Sequence, residues 1–316
     1  MIDISVIIPV FNEELNLPII HVRLGEVLGK MGVRYELIFV NDGSQDASIV
    51  LIKALAQQHE EVKFIDFSRN FGHQIAVSAG LDSAVGKAIV IIDADLQDPP
   101  ELIAEMYAKM AEGYEVVYAR RKKRIGESRF KLWTAKAFYR VLSRITSVSI
   151  PVDTGDFRIM DRKIVEVLRQ MPEKNKYLRG QIAWIGFRQT YIEYERRERN
   201  AGETGYTLRK MLHFALDGVT AFSDLPLKIV TYFGLLVSFI AFLVTLYVLY
   251  ARLFSHDYVQ GWASILVSVL FIGGIQMIAI GIIGEYLSRM NTNIKDRPLY
   301  IVRESKLSDD VFRENK

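Results

Sequence analysis

The chain has 316 residues, 50% of them hydrophobic and 24% charged, with a formal net charge of +3. This mixture predicts a soluble domain joined to membrane helices, because neither part alone combines so many charges with so much apolar sequence. So mild a charge gives no indication of nucleic acid binding, and a sequence without cysteine excludes disulfides and thiolate metal ligands. The N-terminus lacks the basic and small-residue features of a signal peptide.

Residues 1 to about 120 alternate apolar, β-branched runs with helical stretches. This alternation predicts βαβ units, and so an α/β domain with a Rossmann-like, mostly parallel sheet covered by helices on both faces. The polar clusters each follow a strand and are therefore expected at one edge of the sheet. The predicted strands are 4–10, 35–40, 62–67, 88–92 and 114–119, and the predicted helices lie near 15–30, 46–58, 73–84 and 100–111.

The sequence changes character after the fifth predicted strand. From about 120 to 206 it is basic and irregular, and no element is predicted there. Residues 207–226 place apolar side chains on one face of a helix, which suits either a membrane interface or a core helix. Residues 227–250 and 261–287 are each longer than the ~20 residues needed to cross a bilayer, so both are predicted to be transmembrane helices.

The charges flanking these two spans predict their orientation. The loop at 251–260 has one arginine, whereas the tail at 288–316 holds several lysines and arginines. Because basic residues mark the cytoplasmic side, the loop is expected to be extracytoplasmic. Both termini, and with them the domain at 1–206, are expected in the cytoplasm.

The stretch DADLQD, 93–98, places three carboxylates after the fourth predicted strand. Asp93 and Asp95 are two residues apart and project to the same side of an extended chain. Such a pair can be a general acid–base couple, a metal site or a solvated turn. No histidine cluster accompanies it, which disfavours zinc, and Asp95 and Gln97, with Asp98 nearby, offer the oxygen donors that Mg²⁺ or Mn²⁺ prefers. Since Mg²⁺ commonly fills its shell with substrate phosphates, a nucleoside diphosphate is the expected partner.

Four motifs that follow the strands in order carry a resemblance to a known family. They are SVIIPVFNEE, FVNDGSQDAS, SRNFGHQIAVSAGLDSA and DADLQDPPELI. Together they resemble the inverting family 2 glycosyltransferases of the GT-A fold. VDTGDFRIMDR and RNAGETGYTLRKML, with the two C-terminal helices, are most similar to the polyprenyl-phosphate branch, which includes dolichyl-phosphate mannose synthases and bacterial GtrB-type glucosyltransferases. The resemblance implies a GT-A domain at 1–206, whose region from about 120 faces the acceptor, and an interfacial segment at 207–226.

Two departures from related patterns are visible. The family commonly has Gly-Glu-Ser-Lys where this chain has GETG at 202–205, so the basic side chain at 205 is missing. Processive polysaccharide synthases of the same fold carry Q-x-x-R-W, and the corresponding GQIAWIG lacks the arginine. Transfer of a single sugar is therefore expected.

The resemblance also assigns roles to individual residues. Asp93 and Asp156 are the implied catalytic residues, Asp156 as the family's proposed base, with an ion pair to Arg158 or another arginine as the alternative. Asp95 and Gln97 are implied to hold Mg²⁺ or Mn²⁺ on the diphosphate, as a Lewis acid. The implied nucleotide-sugar positions are Pro9, Phe11, Asn12, Glu13, Asp42, Asp93 and Asp95, and the implied acceptor-phosphate positions are Arg120, Arg129 and Arg199.

Several of these residues have a plainer interpretation beside the implied one. Asp42 can form an Asx turn in NDGS as well as accept a hydrogen bond from base or ribose. Guanidinium groups suit a phosphate because they donate bidentately, but any one arginine of a basic run can instead face solvent or lipid headgroups. His73, in NFGHQ, is interpreted as a loop residue and not as a catalyst.

The chemistry of the acceptor bears on Asp156. A phosphate monoester has a second pKa of about 6, so near neutral pH it is already mostly a dianion. A general base has little proton left to remove from such an acceptor. Asp156 is therefore expected mainly to position the acceptor site, for example by holding an arginine.

The sequence as a whole predicts a membrane-anchored, metal-dependent glycosyltransferase of a bacterial inner membrane. It is expected to move one sugar, from UDP-glucose, to a polyprenyl phosphate, giving a lipid-linked sugar for later extracytoplasmic glycosylation. A GDP-mannose-dependent mannose synthase is the enzymatic alternative, and a non-catalytic nucleotide-sugar-binding membrane module is the alternative of another class. The expected partners are the nucleotide-sugar, the polyprenyl phosphate and the lipid bilayer. A second copy of the chain, a flippase and a downstream glycosyltransferase would also suit this function.

Overall fold

The computed structural model describes residues 1–122, 154–195, 225–250 and 261–307. The described strands are β1 (Ile4–Val10), β2 (Tyr35–Asn41), β3 (Val62–Phe67), β4 (Ala88–Ile91), β5 (Val116–Arg121), β6 (Thr154–Asp161), β7 (Gln189–Tyr194) and β8 (Val302–Lys306). The described helices are α1 (Leu17–Met31), α2 (Ser48–Gln58), α3 (His73–Ser83), α4 (Leu102–Ala111), α5 (Arg162–Gln170), α6 (Leu178–Ile185), α7 (Leu225–Tyr250) and α8 (Trp262–Ile294).

The described strands form one sheet in the order β7-β5-β6-β4-β1-β2-β3-β8. The pairs β1–β2, β1–β4, β2–β3 and β5–β7 are parallel, whereas β6 is antiparallel to β4 and β5, and β8 is antiparallel to β3. The predicted α/β class with a mostly parallel sheet is confirmed, and the arrangement is that of a GT-A domain.

The central strands are continuous apolar runs because helices cover both faces of the sheet. All seven residues of β1 are buried. On one face α1 begins after Asn16 with a proline in its first turn and ends at Gly32, whose φ of 65° lies in the left-handed region. Its buried side chains recur at the spacing of one helix face and are Leu17, Ile20, Leu24 and Leu28.

The opposite face of the sheet is covered by α3, α5 and α6. The helix α3 lies very close to β1 at Gly80, where a Cβ atom would come 2.3 Å from Cγ2 of Ile7. Glycine at this position lets the helix backbone approach the strand. The close approach also fixes the N-terminal end of α3, which carries His73, over the sheet edge where the site lies.

The first four strands and the first four helices lie within about two residues of their predicted positions, and the fifth strand is shifted to Val116–Arg121. The prediction that 120–206 is irregular is wrong for 154–194, which contains β6, α5, α6 and β7. The reason is that β6 carries charged side chains inside the protein. Arg158 is 1% exposed and lies with its guanidinium 5.1 Å from the ring centroid of Tyr118, so the strand lacks an apolar pattern.

Two long helices follow the domain. The segments Leu227–Val244 and Phe271–Ile294 are long and apolar enough to cross a membrane. The second helix, α8, continues to Ile294, seven residues beyond the predicted end of the span at 287. Of the predicted interfacial segment 207–226, residues 207–224 lie outside the described part, as do the loop 251–260 and the tail from 308 onwards.

After α8 the chain returns to the sheet as β8, an element that the sequence does not predict. It pairs with β3, and the backbone N–H of Ser68 donates to the carbonyl of Ile301 at 2.9 Å. The ring of Tyr300 stacks on Phe67 with centroids 5.0 Å apart, and its hydroxyl donates to Asp82 at 3.1 Å. All five residues of β8 are exposed, which explains why no strand pattern is visible in the sequence.

Candidate active site

The polar clusters gather at one edge of the sheet, as expected. Asp42 follows β2, and Asp93 follows β4 by two residues. Because β6 is antiparallel, its first residues reach the same edge, and the pairing of Ile91 with Arg158 puts Asp156 across from Asp93 just beyond the paired residues. The site therefore combines a strand that the sequence predicts with one that it does not.

The loops after β1 and β2 are tied to each other. The backbone N–H of Asn12 donates to Oγ of Ser44 at 3.0 Å, and Oδ1 of Asn12 accepts from the backbone of Gln45 at 2.8 Å. Asn12 adopts a φ of 56°, and Glu13 donates its backbone N–H to Ser48. Asn12 and Glu13 thus hold the loop after β1 against the loop after β2, and Phe11, just before them, is 46% exposed. Their predicted contacts with the nucleotide-sugar stay predictions.

Asp42 organises the loop that follows β3. Its two carboxylate oxygens accept the backbone N–H groups of Phe71 at 2.6 Å and Gly72 at 2.9 Å, and its burial raises its pKa. The predicted Asx turn of Asp42 is not formed, since its carboxylate accepts from Phe71 and Gly72; within NDGS it is Asn41 whose Oδ1 accepts the backbone N–H of Ser44, at 3.4 Å. The predicted contacts of Asp42 and of the buried Pro9 with the nucleotide-sugar stay predictions.

The loop after β4 holds its polar side chains in a tight turn. Oδ1 of Asp95 accepts the backbone N–H of Gln97 at 3.1 Å, and Leu96 between them has a φ of 60°, which is uncommon for a residue other than glycine. Asp98 is fully buried and accepts the hydroxyl of Tyr194. The carboxylate of Asp95 is thus bonded to the backbone of Gln97 within one turn.

The ionised form of Asp93 is disfavoured in the site. Its Oδ1 atom is buried and accepts no hydrogen bond from the described residues, although Nε2 of His73 lies 3.7 Å away. The pKa of this carboxyl is raised to about 6, because burial and the negative charge of Asp156, which raise it, together outweigh His73, which lowers it. Such a group suits a site that receives a cationic or hydrogen-bond-donating ligand.

Asp156 is surrounded by cations. Arg179 donates to both carboxylate oxygens, at 3.0 and 3.1 Å, Arg158 donates at 3.2 Å, and Nε2 of His73 lies 3.3 Å from Oδ2. Burial alone would raise the pKa of Asp156, but Arg179, His73 and Arg158 hold it well below its usual range. The geometry is therefore that of the ion pair given above as the alternative to a base.

Sequence reasoning missed two residues of the site. The interpretation of His73 as a loop residue is wrong, because it is the first residue of α3 and contacts both Asp93 and Asp156. Its position at the start of a predicted helix after a strand could have indicated this. Burial lowers the pKa of His73, but Asp93 and Asp156 outweigh it and raise the pKa to about 9. Arg179 comes from α6, and no pattern in the sequence indicates its contact with Asp156.

The predicted acceptor arginines are only partly described. Arg120, at the end of β5, donates to Glu193 and lies with its guanidinium 3.5 Å from the ring centroid of Tyr191, both on β7. Arg129 and Arg199 lie outside the described residues. The acceptor role of the three arginines stays a prediction.

Comparison with known proteins gives consistent matches over nearly the whole chain. The model of "Glycosyl transferase family 2" matches residues 5–169. "Uncharacterized glycosyltransferase YkcC" of Bacillus subtilis is 53% identical over 304 residues, covering 96% of this chain and 94% of that protein. "Prophage bactoprenol glucosyl transferase homolog" of Escherichia coli is 42% identical, covering 96% and 99%. "Bactoprenol glucosyl transferase" of Shigella phage SfII is 40% identical, covering 96% and 98%.

Proposed function

Because this chain belongs to glycosyl transferase family 2, and is thus a glycosyltransferase, we propose that it transfers one glucosyl group from UDP-glucose to a polyprenyl phosphate. The observation that carries the proposal is the match, over 96% of this chain, to proteins named for bactoprenol glucosyl transfer. That match includes the two long apolar helices, which suit an enzyme whose acceptor is a lipid. The acceptor phosphate then lies at the headgroup level of the cytoplasmic leaflet.

The loop after β4 fits a divalent metal ion. Asp95 and Gln97 belong to one turn, in which the carboxylate of Asp95 accepts the backbone N–H of Gln97, and both side chains carry oxygen donors. Oδ1 of Asp93, two residues before Asp95, is buried without a hydrogen bond from the described residues. Hard cations such as Mg²⁺ and Mn²⁺ prefer this donor set. Asp95 and Gln97 would hold the ion, which when bound supplies Lewis-acid stabilisation of the charge on the diphosphate.

The proposed reaction is a single displacement. A lone pair on a phosphate oxygen of the lipid forms the new bond to the anomeric carbon of the sugar. The bond from that carbon to the diphosphate breaks at the same time, and UDP leaves with the electron pair. Displacement from the opposite face inverts the anomeric configuration. No proton needs to leave the acceptor, since its second pKa is about 6 and it is mostly a dianion near neutral pH.

In this reaction Asp156 positions cations. Its carboxylate is held by Arg179 and Arg158, so its ionised form is strongly favoured and it is a weak base. Arg179 is 25% exposed, and its Nε lies 3.0 Å from Oδ1 of Asp156. A guanidinium fixed in this way suits the phosphate of the acceptor.

A transfer assay tests the proposal and the choice of donor. Purified full-length protein is incubated with a polyprenyl phosphate and with labelled UDP-glucose, UDP-galactose or GDP-mannose in turn. We expect label in the lipid fraction with UDP-glucose. Transfer from GDP-mannose alone would identify a mannose synthase instead. Binding of a nucleotide-sugar without transfer from any donor would identify a non-catalytic module.

The metal proposal has its own test. Asp95→Ala should abolish transfer and weaken donor binding, because the variant loses a ligand of the ion that neutralises the diphosphate. EDTA should abolish sugar transfer by the wild type, and added Mg²⁺ or Mn²⁺ should restore the transfer. Glu112→Ala, which removes an exposed carboxylate paired only locally with Lys109, is the matched control and should be active. Full wild-type activity in excess chelator would contradict the metal proposal.

A further inference from the structure

We propose that His73 is a positioning residue that links the donor side of the site to the acceptor side by bridging Asp93 and Asp156. The inference rests on the proposed function and deepens it. It gives a role to a side chain for which neither the resemblance nor the comparisons supply one.

The bridge is formed by a single atom of the imidazole ring. Nε2 of His73 lies 3.7 Å from Oδ1 of Asp93 and 3.3 Å from Oδ2 of Asp156. Asp156 lies on β6, and Asp93 lies two residues beyond the end of the antiparallel neighbour β4, across from Asp156. Like charges in such positions repel, and an imidazolium between them replaces the repulsion by two attractions. Arg179 and Arg158 neutralise Asp156, whereas His73 is the contact that joins Asp156 to Asp93.

His73 is itself held in place from two directions. Before it, Gly72 adopts a φ of 104°, and the carboxylate of Asp42 fixes the backbone N–H of Gly72 at 2.9 Å. After it, the side-chain Oε1 of Gln74 accepts the backbone N–H of Leu178 at 3.2 Å, which ties the start of α3 to the start of α6. The imidazole therefore sits at a junction of the loop after β2, the loop after β3, and α6.

This placement explains what the bridge does for the reaction. Asp93 is one of the positions that the resemblance implies for the nucleotide-sugar, and Asp156 orients the cations for the acceptor phosphate in the proposed function. With His73 between them, the two halves of the site keep a fixed separation, and the reacting atoms stay aligned. Without it Asp93 loses its contact with the imidazole, while Asp156 stays held by Arg179 and Arg158, and misalignment of about 1 Å can lower a rate by about 100-fold.

The experiment compares His73→Ala and His73→Gln with the wild type in the transfer assay. We expect kcat of His73→Ala to fall about 100-fold, whereas the donor dissociation constant, measured by titration, changes by less than about twofold. His73→Gln keeps a hydrogen-bond donor without the charge, so its kcat should fall less than that of His73→Ala. Because the side chain of His73 is 41% exposed, added imidazole should enter the gap in His73→Ala and restore part of kcat.

His59→Ala is the matched control. His59 is 39% exposed, and its Nδ1 lies 3.5 Å from Oε1 of Glu61. The variant therefore loses a comparable histidine–carboxylate contact that lies outside the site. It should keep wild-type kcat and show no response to imidazole. If His73→Ala keeps wild-type kcat, or loses donor binding and kcat together without a response to imidazole, the positioning role is overturned. A wild type that transfers no sugar would overturn the proposed function, and this role with it.

Discussion

Among single residues, Asp156 has the surroundings that bear most directly on mechanism. Within the described part of the chain, Arg179, Arg158 and His73 all contact its carboxylate. These cations outweigh the effect of burial and lower its pKa well below the usual range. A group that stays ionised throughout the working range takes up a proton poorly. We therefore expect Asp156 to fix the orientation of its cationic partners, above all Arg179, so that they can bind the acceptor phosphate.

The variant Asp156→Asn separates positioning from base catalysis. The amide keeps the size of the side chain but loses the charge that holds Arg179, so transfer should fall by about 100-fold. Transfer by Asp156→Asn should stay severely impaired at every pH from about 6 to about 9, since the lipid phosphate needs no base once its own second pKa of about 6 is passed. Below that pH both proteins should slow in parallel, as the acceptor gains a proton. The measurement is the pH–rate profile of each of the two proteins.

If Asp156 is instead a general base, the pH dependence of Asp156→Asn differs. If raising the pH well above 7 restores most of the rate of Asp156→Asn, removal of a proton is the missing step and Asp156 is a base. Glu112→Gln, at an exposed carboxylate paired with Lys109, controls for the general effect of replacing an acid by its amide.

The residues of the site differ in how far the sequence predicts them. Asp93, Asp95 and Gln97 follow a clear apolar strand, so their position at the sheet edge could be predicted. The ion pair of Asp156 with Arg158, the stated alternative, is confirmed. The contacts of Asp156 with His73 and Arg179 were not predicted, because α3, β6 and α6 meet only through the order of the strands. A contact of this kind leaves no local pattern in the chain.

At the scale of elements, the packing of α3 on β1 determines where His73 lies. A Cβ at Gly80 would come 2.3 Å from Cγ2 of Ile7, whereas a Cβ at Gly29 in α1 would meet no atom within 4 Å. Gly80→Ala should therefore destabilise the protein by about 1–3 kcal/mol through overpacking. Gly29→Ala should stabilise it by up to about 1 kcal/mol, because alanine favours helix.

Thermal unfolding of the two glycine variants in detergent is the measurement. Each 1 kcal/mol should shift the midpoint by about 2–4 °C for a domain of this size. Gly80→Ala should also lower sugar transfer, since α3 carries His73 into the site. A Gly80→Ala protein that is as stable as Gly29→Ala would contradict the close packing of α3 on β1.

The strand β6 shows why some elements were not predictable. It lies antiparallel between β4 and β5, and its pairing partners are distant in sequence. Arg158 is buried in it and donates to the backbone carbonyls of Asp156 and Gly155 at 3.1 and 3.0 Å. Charged residues that pair inside the protein remove the apolar alternation by which strands are recognised. The strands β2 and β3 also bury one charged residue each, Glu36 and Asp66, but the βαβ units before residue 120 keep enough apolar runs to be predictable.

At the scale of the whole molecule, β8 constrains the topology. The strand follows α8 and pairs with β3 at the edge of the catalytic sheet. The domain before the two long helices and the segment after them must therefore lie on the same side of any membrane that the helices cross. Two crossings satisfy this requirement, and the basic tail favours the cytoplasmic side.

A pair of reporter fusions tests this topology. A reporter that works only outside the cytoplasm should be active when inserted near Asp257, in the loop between the helices, and inactive at the C-terminus. The reason is the low positive charge of that loop compared with the tail. Activity at the C-terminus and not in the loop would reverse the orientation. It would also place the site away from the nucleotide-sugars of the cytoplasm.

The central claim is that one sugar is moved, with inversion, from a nucleotide-sugar to a lipid phosphate. The most direct measurement is NMR of the lipid product formed by the purified protein from ¹³C-labelled UDP-glucose and a polyprenyl phosphate. We expect a phosphodiester with one β-linked glucose per lipid and one UDP released for each product. Hydrolysis of UDP-glucose without a lipid product, addition of several sugars to one lipid, or an α-linked product would contradict it.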